Sequence, residues 1–516
     1  MFLLTATEMA QIDRITIEEI GIPGVVLMEK AGSGATDFYE EIFPDICRRK
    51  VLIIAGSGNN GGDGFVIARH LWYRGSASVK VVCLKEISRL KGDALVNCEI
   101  IRKLDIPIVE YTSEEFLPQI ASELKDCDIV IDAILGTGLK SEVRGFYREV
   151  IEAINNEGKP VLAVDIPSGL DASTGKPLGL CVNAVATATF GLPKIGQVVS
   201  PGHNYVGKLK VVDIGIPRTV ISDFSPKRVF FEEAEARALI KPRRSDSHKG
   251  TYGHLLVLSG SEGKTGAAAL VCQGAARVGT GLVTLAIPES LNPIMEVKLT
   301  EPMTMPIPET NDRSASLKSL DKIIREAKTR SAMAVGPGIS LNDESQELAR
   351  ELIASVDCPV VVDADGVTAL KDNLHVLSKA SVPLILTPHP GEMARIIGET
   401  SAYVQANRLE VAESFSKEYG VILVLKGYRT IIASPDGKTA VNSTGNPAMA
   451  TGGMGDVLTG MIGGFLAQGY EPFDAACLGV YFHGKAGDVV RETNKYFSIL
   501  ASDLLEVIPR ELSLDL

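Results

Sequence analysis

Short apolar runs, each closed by glycine or a carboxylate and separated by helix-like stretches, constrain the fold of this chain more than any other feature. Residues 51–55 read Val-Leu-Ile-Ile-Ala and are followed at once by Gly-Ser-Gly. A run this short and continuously apolar is typical of a strand buried on both faces. Similar runs recur with helical patterns between them, so the sequence predicts repeated β–α units and a mostly parallel sheet.

The predicted elements occur in both halves of the chain. The predicted strands are residues 51–55, 79–84, 129–133 and 161–165, then 255–258, 282–287, 332–335, 360–362, 384–386, 421–425 and 430–433. The clearest predicted helices are residues 7–20, 65–71, 232–240 and 267–278.

The length of 516 residues exceeds one ordinary domain, because domains average about 150 residues. A polar, proline-bearing stretch over residues 224–247 interrupts the alternation of strands and helices. We therefore predict two α/β domains, residues 1–224 and residues 225–516, the first with a Rossmann-like, three-layer parallel sheet.

Composition and charge exclude several classes of protein. The net charge of −12 argues against a general nucleic-acid binder, which needs a basic surface. Residues 1–13 lack the pattern of a signal peptide, and no apolar run of about 20 residues predicts a membrane span. The eight cysteines are scattered without a CxxC pair, which favours reduced thiols in a cytoplasmic protein.

A glycine-rich stretch after the first predicted strand has the character of an anion site. Residues 56–64 hold five glycines in nine positions and precede the helical pattern of residues 65–71. Ligands of open α/β sheets gather at the carboxyl ends of strands, and unpaired N–H groups at a helix start favour an anion. The spacing differs from the GxGxxG of ordinary dinucleotide folds, so Asn59, Asn60 and Asp63 give this motif its specificity.

Two further carboxylates end predicted strands in the first half. Asp132 and Asp165 stand at these ends, and Ser168 follows three residues after Asp165. With Asn60 they would form an oxygen-rich set suited to a hard cation, either monovalent or magnesium. The simpler alternative is that each side chain only caps a turn, but three such motifs at strand ends favour a single pocket.

These motifs resemble the YjeF N-terminal family, whose domain is the NAD(P)HX epimerase that interconverts the R and S forms of hydrated NAD(P)H. The resemblance is carried by residues 4–13, 27–32, 59–64, 132–138 and 165–169. It implies potassium at Asn60, Asp132 and Ser168. It also implies substrate contact at Asp165, our candidate for the proton transfer that epimerisation requires. The residues implied to bind the hydrated cofactor are Asn59, Asn60, Gly61, Gly62, Asp63, Gly136, Thr137, Gly138, Leu139, Lys140, Ser141, Glu142 and Asp165.

The most informative motif of the second half is Gly-Gly-Met-Gly-Asp at residues 452–456, followed by an apolar periodic run. It predicts a glycine-rich loop that opens a helix, with Asp456 in the first turn beside an anion site. Other motifs at predicted strand ends are Ser-His-Lys-Gly at 247–250, Gly-Pro-Gly at 336–338, Thr-Pro-His-Pro-Gly-Glu at 387–392 and Lys-Gly-Tyr-Arg-Thr at 426–430. Taken singly, His389 is a rigid turn, Lys426 a solvated charge and Asp456 a helix-start carboxylate. Their succession at strand ends favours one site.

This set resembles the ribokinase-like fold, and more narrowly the YjeF C-terminal family of ADP- or ATP-dependent NAD(P)HX dehydratases, over residues 240–510. The resemblance implies that Ala267, Gly338, His389 and Asp456 contact the hydrated cofactor. It implies that ADP, with Mg²⁺, is held by Lys426, Gly427, Tyr428, Arg429, Thr430 and Gly455. Three departures stand out: Lys30 where asparagine is expected, Met454 in the glycine loop, and Asp-Gly-Val at residues 365–367.

Together the two resemblances imply a bifunctional repair enzyme for NADHX and NADPHX, an isomerase and lyase that consumes ADP and forms a phosphorylated intermediate. We expect a cytoplasmic homo-oligomer with no nucleic-acid or membrane partner. The alternative is a ribokinase-like small-molecule kinase with a non-catalytic N-terminal binding module. A kinase would leave a stable phosphorylated product, whereas the dehydratase would release inorganic phosphate.

Overall fold

The computed structural model describes residues 1–76 and 78–513 and divides into two compact units. One unit comprises residues 2–227, and the other comprises Met1 with the chain from Arg228 onward. We call them the N-terminal and the C-terminal unit. The boundary predicted after residue 224 falls at the end of the helix Arg218–Phe224.

The N-terminal unit is built on a seven-stranded sheet with strand order β4-β3-β2-β5-β6-β7-β8 and parallel pairing throughout. The strands of this half of the chain are β1 (Phe2–Leu3), β2 (Val51–Ala55), β3 (Val79–Cys83), β4 (Ile108–Glu110), β5 (Ile129–Ala133), β6 (Val161–Val164), β7 (Ala186–Phe190) and β8 (Lys208–Val212). The helices are α1 (Ala6–Arg14), α2 (Gly24–Ile42), α3 (Asn59–Tyr73), α4 (Gly92–Lys103), α5 (Leu117–Asp126), α6 (Gly145–Glu157), α7 (Ile195–Val198), α8 (His203–Val206) and α9 (Arg218–Phe224).

Strand β2 shows why these strands are continuously apolar. Val51, Ile53 and Ala55 pack into one hydrophobic cluster, whereas Leu52 and Ile54 pack into a second cluster on the opposite face. Successive side chains of a strand point to opposite faces, so a strand covered on both sides needs apolar residues at every position. The continuous run therefore predicted the three-layer architecture correctly.

The C-terminal unit repeats this design with the strand order β9-β18-β17-β16-β15-β14-β13-β10-β11-β12. Its strands are β9 (Arg228–Phe231), β10 (His254–Leu258), β11 (Leu282–Pro288), β12 (Met303–Ile307), β13 (Ala332–Val335), β14 (Val360–Val362), β15 (Leu384–Leu386), β16 (Ile422–Leu425), β17 (Ile431–Ala433) and β18 (Thr439–Asn442). Its helices are α10 (Glu233–Leu239), α11 (Thr265–Arg277), α12 (Asn292–Lys298), α13 (Leu320–Ala327), α14 (Asp343–Ser355), α15 (Asp365–Thr368), α16 (Pro390–Ile397), α17 (Ser401–Ala406), α18 (Arg408–Tyr419), α19 (Met454–Ala467), α20 (Pro472–Asn494) and α21 (Ala501–Glu511). Only the pairs β16–β17 and β17–β18 are antiparallel among these strands.

Several elements differ from the sequence prediction. The helix predicted over residues 7–20 is α-helical only to Arg14 and continues as a π-helix over Ile15–Glu19. Strands β7 and β12 were not predicted, because β7 reads Ala-Thr-Ala-Thr-Phe and β12 contains a proline, so neither is a continuous run of large apolar residues. Packing between neighbours supplies their strand conformation instead.

Composition also led to expectations about membrane spans and about the cysteines. No helix there is long and apolar enough to cross a membrane. All eight cysteines are free, and each except Cys47 is buried.

Candidate active sites

The N-terminal unit contains a cavity of about 970 Å³ at the carboxyl ends of its central strands. It lies where open α/β sheets bind ligands, beyond the ends of β2, β5 and β6. The predicted residues that line it are Asn59, Asn60, Asp63, Gly136, Thr137, Gly138, Leu139, Lys140, Ser141 and Asp165. One cavity therefore collects the strand-end motifs that the sequence had placed together.

The glycine-rich stretch is not the nine-residue loop that the sequence suggested. Helix α3 begins at Asn59, directly after Gly58, so most of the stretch forms the first turns of the helix. At Gly61 a methyl group would overlap the backbone oxygen of Gly56, and a side chain at Gly62 would meet Met28. These glycines let α3 start close against the end of β2, which points its first N–H groups toward the cavity.

Asp165 lies immediately after β6 in a strained backbone conformation. Its φ is +60°, in the left-handed region that costs a residue with a side chain roughly 1–3 kcal/mol. Two hydrogen bonds hold this conformation: its N–H donates to the carbonyl of Ala188 at 2.8 Å, and the Gln197 amide donates to its carbonyl at 2.6 Å. Such strain is typical of a side chain aimed at a site.

Lys194 was not predicted as a site residue, yet it organises Asp165. Its ammonium is buried and donates to Asp165 Oδ1 at 2.5 Å, to the Thr189 hydroxyl at 3.0 Å and to the Phe190 carbonyl at 3.1 Å. Three acceptors satisfy all three protons of an ammonium. Lys194 is thereby fixed against one oxygen of Asp165.

Asp132 and Ser168 lie beneath the cavity in a dense hydrogen-bond network. The Ser168 hydroxyl and N–H donate to the two Asp132 oxygens at 2.6 and 2.7 Å. Burial raises the pKa of Asp132 to about 6, although these hydrogen bonds act in the opposite direction. Neither polar atom of the Asn60 side chain has a partner, although both are buried. A buried unpaired amide is costly, so Asn60 is held for a ligand.

Two more carboxylates face the Asp165–Lys194 pair. Burial raises the pKa of Asp63 well above its usual range, with Asp165 adding to the shift and Lys194 opposing it. Burial raises the pKa of Asp13 to about 6, while Lys194 lowers and Asp165 raises it. Asp13, in the last turn of α1, also lines the cavity. Groups with such shifts in a cleft are candidates for acid–base chemistry.

Three predicted binding residues do not line the N-terminal cavity. Gly61 and Gly62 pack against backbone and Met28, as described above, so their observed role is in packing. Glu142 is exposed and forms an ion pair with Arg144 at 3.0 Å. Lys30, the departure from the resemblance, is likewise exposed outside the cavity lining.

In the C-terminal unit the glycine loop opens a helix as predicted. Helix α19 begins at Met454, and Gly453 precedes it with φ of +90°. Glycine is suited to this conformation because a side chain would be strained there and would also meet Leu270. Asp456 is in the first turn of α19, so its carboxylate lies beside the unpaired N–H groups of the helix start.

Asp456 belongs to a buried charge cluster with Lys426 and Asp363. The Lys426 ammonium lies 2.6 Å from Asp363 Oδ1, and the Thr459 hydroxyl donates to Asp363 Oδ2 at 2.7 Å. A Cβ on Gly455 would lie 3.4 Å from the Lys426 nitrogen, so the ammonium sits directly against the glycine loop. Lys426 is thus a structural partner of a buried carboxylate at the site and not a solvated charge.

The electrostatics of this cluster prepare Asp456 to act as a base. Burial raises its pKa to about 6, Asp363 adds to the shift, and Lys426 opposes it. For Lys426, burial lowers the pKa, but Asp363 and Glu392 outweigh burial and raise it, so the ammonium stays charged. A carboxylate with a pKa near 6 can accept a proton at neutral pH.

His389 caps helix α16. Its Nδ1 accepts from the backbone N–H groups of Gly391 and Glu392 at 2.9 and 3.3 Å. The Glu392 carboxylate accepts in return from the backbone N–H of His389 at 2.8 Å. The other ring nitrogen, Nε2, lies 3.5 Å from Glu392 Oε1, and the side chain is half-exposed. The local structure is therefore the rigid turn that the sequence allowed.

Ala267 and Gly338 lie together. A Cβ on Gly338 would be 3.3 Å from the Ala267 Cβ, and Ala267 is in the first turn of α11. Nearby, Lys264 pairs with Asp365 at 2.9 Å, and Asp365 also accepts from the N–H of Ser340. Asp365 belongs to the Asp-Gly-Val motif that differs from the family pattern. Its charge raises the pKa of Asp456, so this group of residues lies within electrostatic reach of the glycine loop.

The loop over residues 426–430 connects β16 to β17 and is supported from below by Arg408. The buried guanidinium of Arg408 donates to the carbonyl of Leu425 at 2.9 Å and to that of Tyr428. Thr430 donates to the Gly427 carbonyl at 2.8 Å, and the Tyr428 ring is exposed. Arg429 instead donates to the Ser443 carbonyl and lies 4.8 Å from the Phe230 ring centre, so this side chain is occupied by the fold.

Met454 is explained by packing. Its side chain is buried in the main hydrophobic cluster of the C-terminal unit. The residue that follows Gly453 turns inward as the helix begins, so a large apolar side chain fits there.

Sequence reasoning missed several residues of both sites. Asp363 follows β14 directly, the same signal that identified Asp132 and Asp165, and could have been found. Lys194 and Thr189 belong to the unpredicted strand β7 and the turn after it. Arg408 carries no local signal, because its role depends on β16 and β17 folding over α18.

Each unit is an α/β domain in which predicted site residues gather at strand ends beside a carboxylate of raised pKa, an arrangement typical of an enzyme with two sites. The YjeF-related protein N-terminus family matches residues 24–196, and the NAD(P)H-hydrate dehydratase family matches residues 255–510. The bifunctional NAD(P)H-hydrate repair enzyme Nnr of Moorella thermoacetica is 44% identical over 510 residues, covering 99% of this chain and 96% of that protein. This chain therefore belongs to the family of bifunctional NAD(P)H-hydrate repair enzymes.

A second relative agrees with this assignment. The Nnr enzyme of Thermofilum pendens is 37% identical over 512 residues, covering 99% of this chain and 96% of that protein. The ADP/ATP-dependent NAD(P)H-hydrate dehydratase of Bacillus subtilis, crystallised with ATP and Mg²⁺, is 35% identical. That structure covers 55% of this chain and 96% of its own, with a TM-score of 0.48. The alternative of a small-molecule kinase with a non-catalytic first domain is not favoured.

Proposed function

We propose that the N-terminal unit epimerises the R and S hydrates of NADH and NADPH, and that the C-terminal unit dehydrates the S form with ADP. The observation that carries the second activity is Asp456, a carboxylate of raised pKa in the first turn of α19 beside the glycine loop. Membership of the repair family supports both activities.

In the dehydratase site, Asp456 takes the proton of the ring hydroxyl as that oxygen attacks the terminal phosphoryl group of ADP, and the phosphoanhydride bond breaks to release AMP. The N–H groups at the start of α19 stabilise the charge on this group, and Lys426 adds a fixed positive charge. The phosphorylated oxygen then leaves as inorganic phosphate, and loss of the neighbouring ring proton restores the double bond of the reduced cofactor. Ala267, Gly338 and His389 would contact the hydrate, while residues 426–430 and Gly455 would hold the nucleotide.

Magnesium would be held mainly by the nucleotide. Among the described residues, no group of three or more His, Cys, Asp or Glu side chains is placed to hold a metal ion. Mg²⁺ commonly binds through substrate phosphates and few protein carboxylates, and it would neutralise charge on the transferred group.

The substitution Asp456→Asn tests the dehydratase proposal. We expect nucleotide-dependent recovery of absorbance at 340 nm from the S hydrate to fall by about 100-fold or more, because the base is lost. Interconversion of the R and S forms in the same sample should continue. Recovery at a near-normal rate would refute the role of Asp456.

In the epimerase site, Asp165 would take the proton from the hydroxyl group of the hydrate and later return it. The cavity and the strained, lysine-held carboxylate support this assignment. Asn59, Asn60, Asp63 and residues 136–141 would contact the hydrate, since they line the cavity at the start of α3.

Asn60, Asp132 and Ser168 fit a potassium ion. The buried amide oxygen of Asn60 lacks a partner, and one carboxylate with neutral oxygens provides the low charge that a monovalent cation requires. Bound potassium would supply positive charge near the phosphates of the hydrate.

Replacing potassium tests this cation subsite. In wild-type protein, exchange of K⁺ for tetramethylammonium should lower epimerase activity and thermal stability, because Asn60 and Asp132 lose their ligand. In the Asn60→Ala variant, stability should no longer depend on K⁺. Equal K⁺ dependence in both proteins would contradict the assignment.

We propose further that the nucleotide is ADP in preference to ATP and that the enzyme acts in the cytoplasm as a homo-oligomer on small molecules, without nucleic-acid or membrane partners. The acidic net charge of −12 supports the absence of nucleic acid. Initial rates with ADP and ATP, and light scattering of the purified protein, test these points.

A further inference from the structure

The N-terminal cavity contains a carboxylate whose position has no purely structural explanation. Asp13 lies in the last turn of α1, lines the cavity and is only partly exposed. The helix changes to π-helical geometry at Ile15, two residues later, and such turns often mark functional sites. A lone acidic residue would not make a site, but the unpartnered Asn60 amide lines the same cavity and independently indicates a ligand.

Lys194 connects Asp13 electrostatically to Asp165. The ammonium is held by Asp165, Thr189 and Phe190, and its charge also acts on Asp13. The charged groups that face Asp13 are therefore Lys194 at the start of α7, Asp165 after β6 and Asp63 on α3. Lys194 lowers the pKa of Asp13 and Asp165 raises it, so both members of the pair act on Asp13.

Epimerisation at the hydroxyl-bearing carbon requires an acid and a base together. When the base removes the hydroxyl proton, the bond from this carbon to the ring nitrogen breaks, and its electron pair moves to the nitrogen. An acid must then protonate the nitrogen. Rotation then presents the other face of the resulting aldehyde to the nitrogen. The nitrogen attacks the aldehyde carbon and gives its proton back to the acid residue. The base residue returns the hydroxyl proton to the oxygen. The protons and electrons balance without a further reactant.

We propose that Asp13 is the second proton-transferring residue of the epimerase site, acting on the ring nitrogen while Asp165 acts on the hydroxyl, with Lys194 as their positioning residue. This inference rests on the proposed epimerase function. The pKa of Asp13 is raised to about 6, so Asp13 can give and take a proton near neutral pH. Asp63 is less suited because it is buried, with only 7% exposure, whereas Asp13 is partly exposed at the cavity.

The test uses the full-length protein and an S-enriched hydrate without nucleotide, with the R to S ratio followed by chromatography. Asp13→Asn should lower kcat for epimerisation by about 100-fold or more while KM changes by less than about threefold. Asp13→Glu should recover part of the rate. The matched control Glu19→Gln removes an exposed carboxylate that is close to Asp13 in sequence but outside the cavity lining, and it should leave the rate within about twofold.

The outcomes separate the inference from the function on which it rests. A wild-type protein that does not interconvert the epimers overturns both. An active wild type with an equally active Asp13→Asn variant, or loss of activity only in Asp63→Asn, overturns the role of Asp13 alone. The thermal unfolding profile of each variant, compared with that of the wild type, reports whether its N-terminal unit is folded. If Asp13→Asn fails to fold, carboxyl carbon NMR of the wild type decides: Asp13 should titrate near pH 6, and titration near pH 4 overturns the inference.

Discussion

At the scale of single residues, both sites hold a reactive aspartate in the field of a buried lysine. Lys194 contacts Asp165 directly, whereas Lys426 contacts Asp363 and influences Asp456 through space. A buried ammonium is stable only when carboxylates or other acceptors surround it. Lys194 lowers the pKa of Asp13 and of Asp63, and Lys426 lowers that of Asp456, in each case against the effect of burial.

Replacing Lys426 by Met should change the pH profile of dehydration. Lys426 lowers the pKa of Asp456, which is about 6 in the intact site, so the wild-type rate should fall as the pH drops through about 6. Without the ammonium this pKa rises, and the fall should move to higher pH. The dependence of kcat/KM on pH for the S hydrate measures the shift; an unmoved acid limb would contradict the coupling.

The same substitution should cost stability. Removing one partner of a buried pair typically costs about 3–5 kcal/mol. Lys438→Met is the matched control, because Lys438 pairs with Asp436 on the exposed surface at 3.0 Å and should change stability by less than about 1 kcal/mol.

At the scale of elements, the start of α19 is positioned by close packing of α19 against α11. The two helices approach at glycines: a methyl group on Gly460 would overlap the Val271 carbonyl, and one on Gly274 would lie 2.6 Å from the Val457 oxygen. Backbone atoms cannot move aside as a flexible side chain can. The position of Asp456 thus depends on glycines one turn and more away from it.

Gly460→Ala should therefore weaken the C-terminal unit and its activity. Overpacking against backbone typically costs about 1–3 kcal/mol. We expect dehydratase activity to be lost at a lower urea concentration, with epimerase activity unchanged. Gly266→Ala, in the same helix pair but with open space around its Cβ, should not lower this midpoint. Equal midpoints for all three proteins would show that the contact is unimportant.

At the scale of the whole molecule, each candidate site is complete within one unit. All residues of the N-terminal cavity fall within residues 2–227, and the Asp456 cluster falls within the unit that begins at Arg228. Two sites on one chain can then act in sequence on a substrate that is released and bound again.

Mixing two variants that each lack one of the two activities tests this independence. Asp165→Ala should slow conversion of the R hydrate but leave dehydration of the S hydrate intact, and Asp456→Asn should do the reverse. An equimolar mixture should recover conversion of both forms to reduced cofactor, measured at 340 nm with ADP. The double variant is the control, and a mixture no faster than the double variant would require transfer within one chain.

The sequence by itself determined the architecture. Continuous apolar runs can satisfy only strands covered on both faces, and the carboxyl ends of parallel strands meet at one edge, which is why Asn60 and Asp165 line one cavity. The glycine loop before Asp456 could also be predicted to open a helix, because the unpaired N–H groups of a helix start are a local property.

Only the tertiary structure decided which charges meet. Lys194 lies 29 positions after Asp165, and Asp363 lies 63 positions before Lys426, so no local pattern connects them. It also showed that Met454 packs into the core, that α3 begins at Asn59, and that Asp13 faces the Asp165–Lys194 pair. Backbone geometry is set by near neighbours along the chain, whereas a pKa depends on burial and on charges that folding brings together from distant positions.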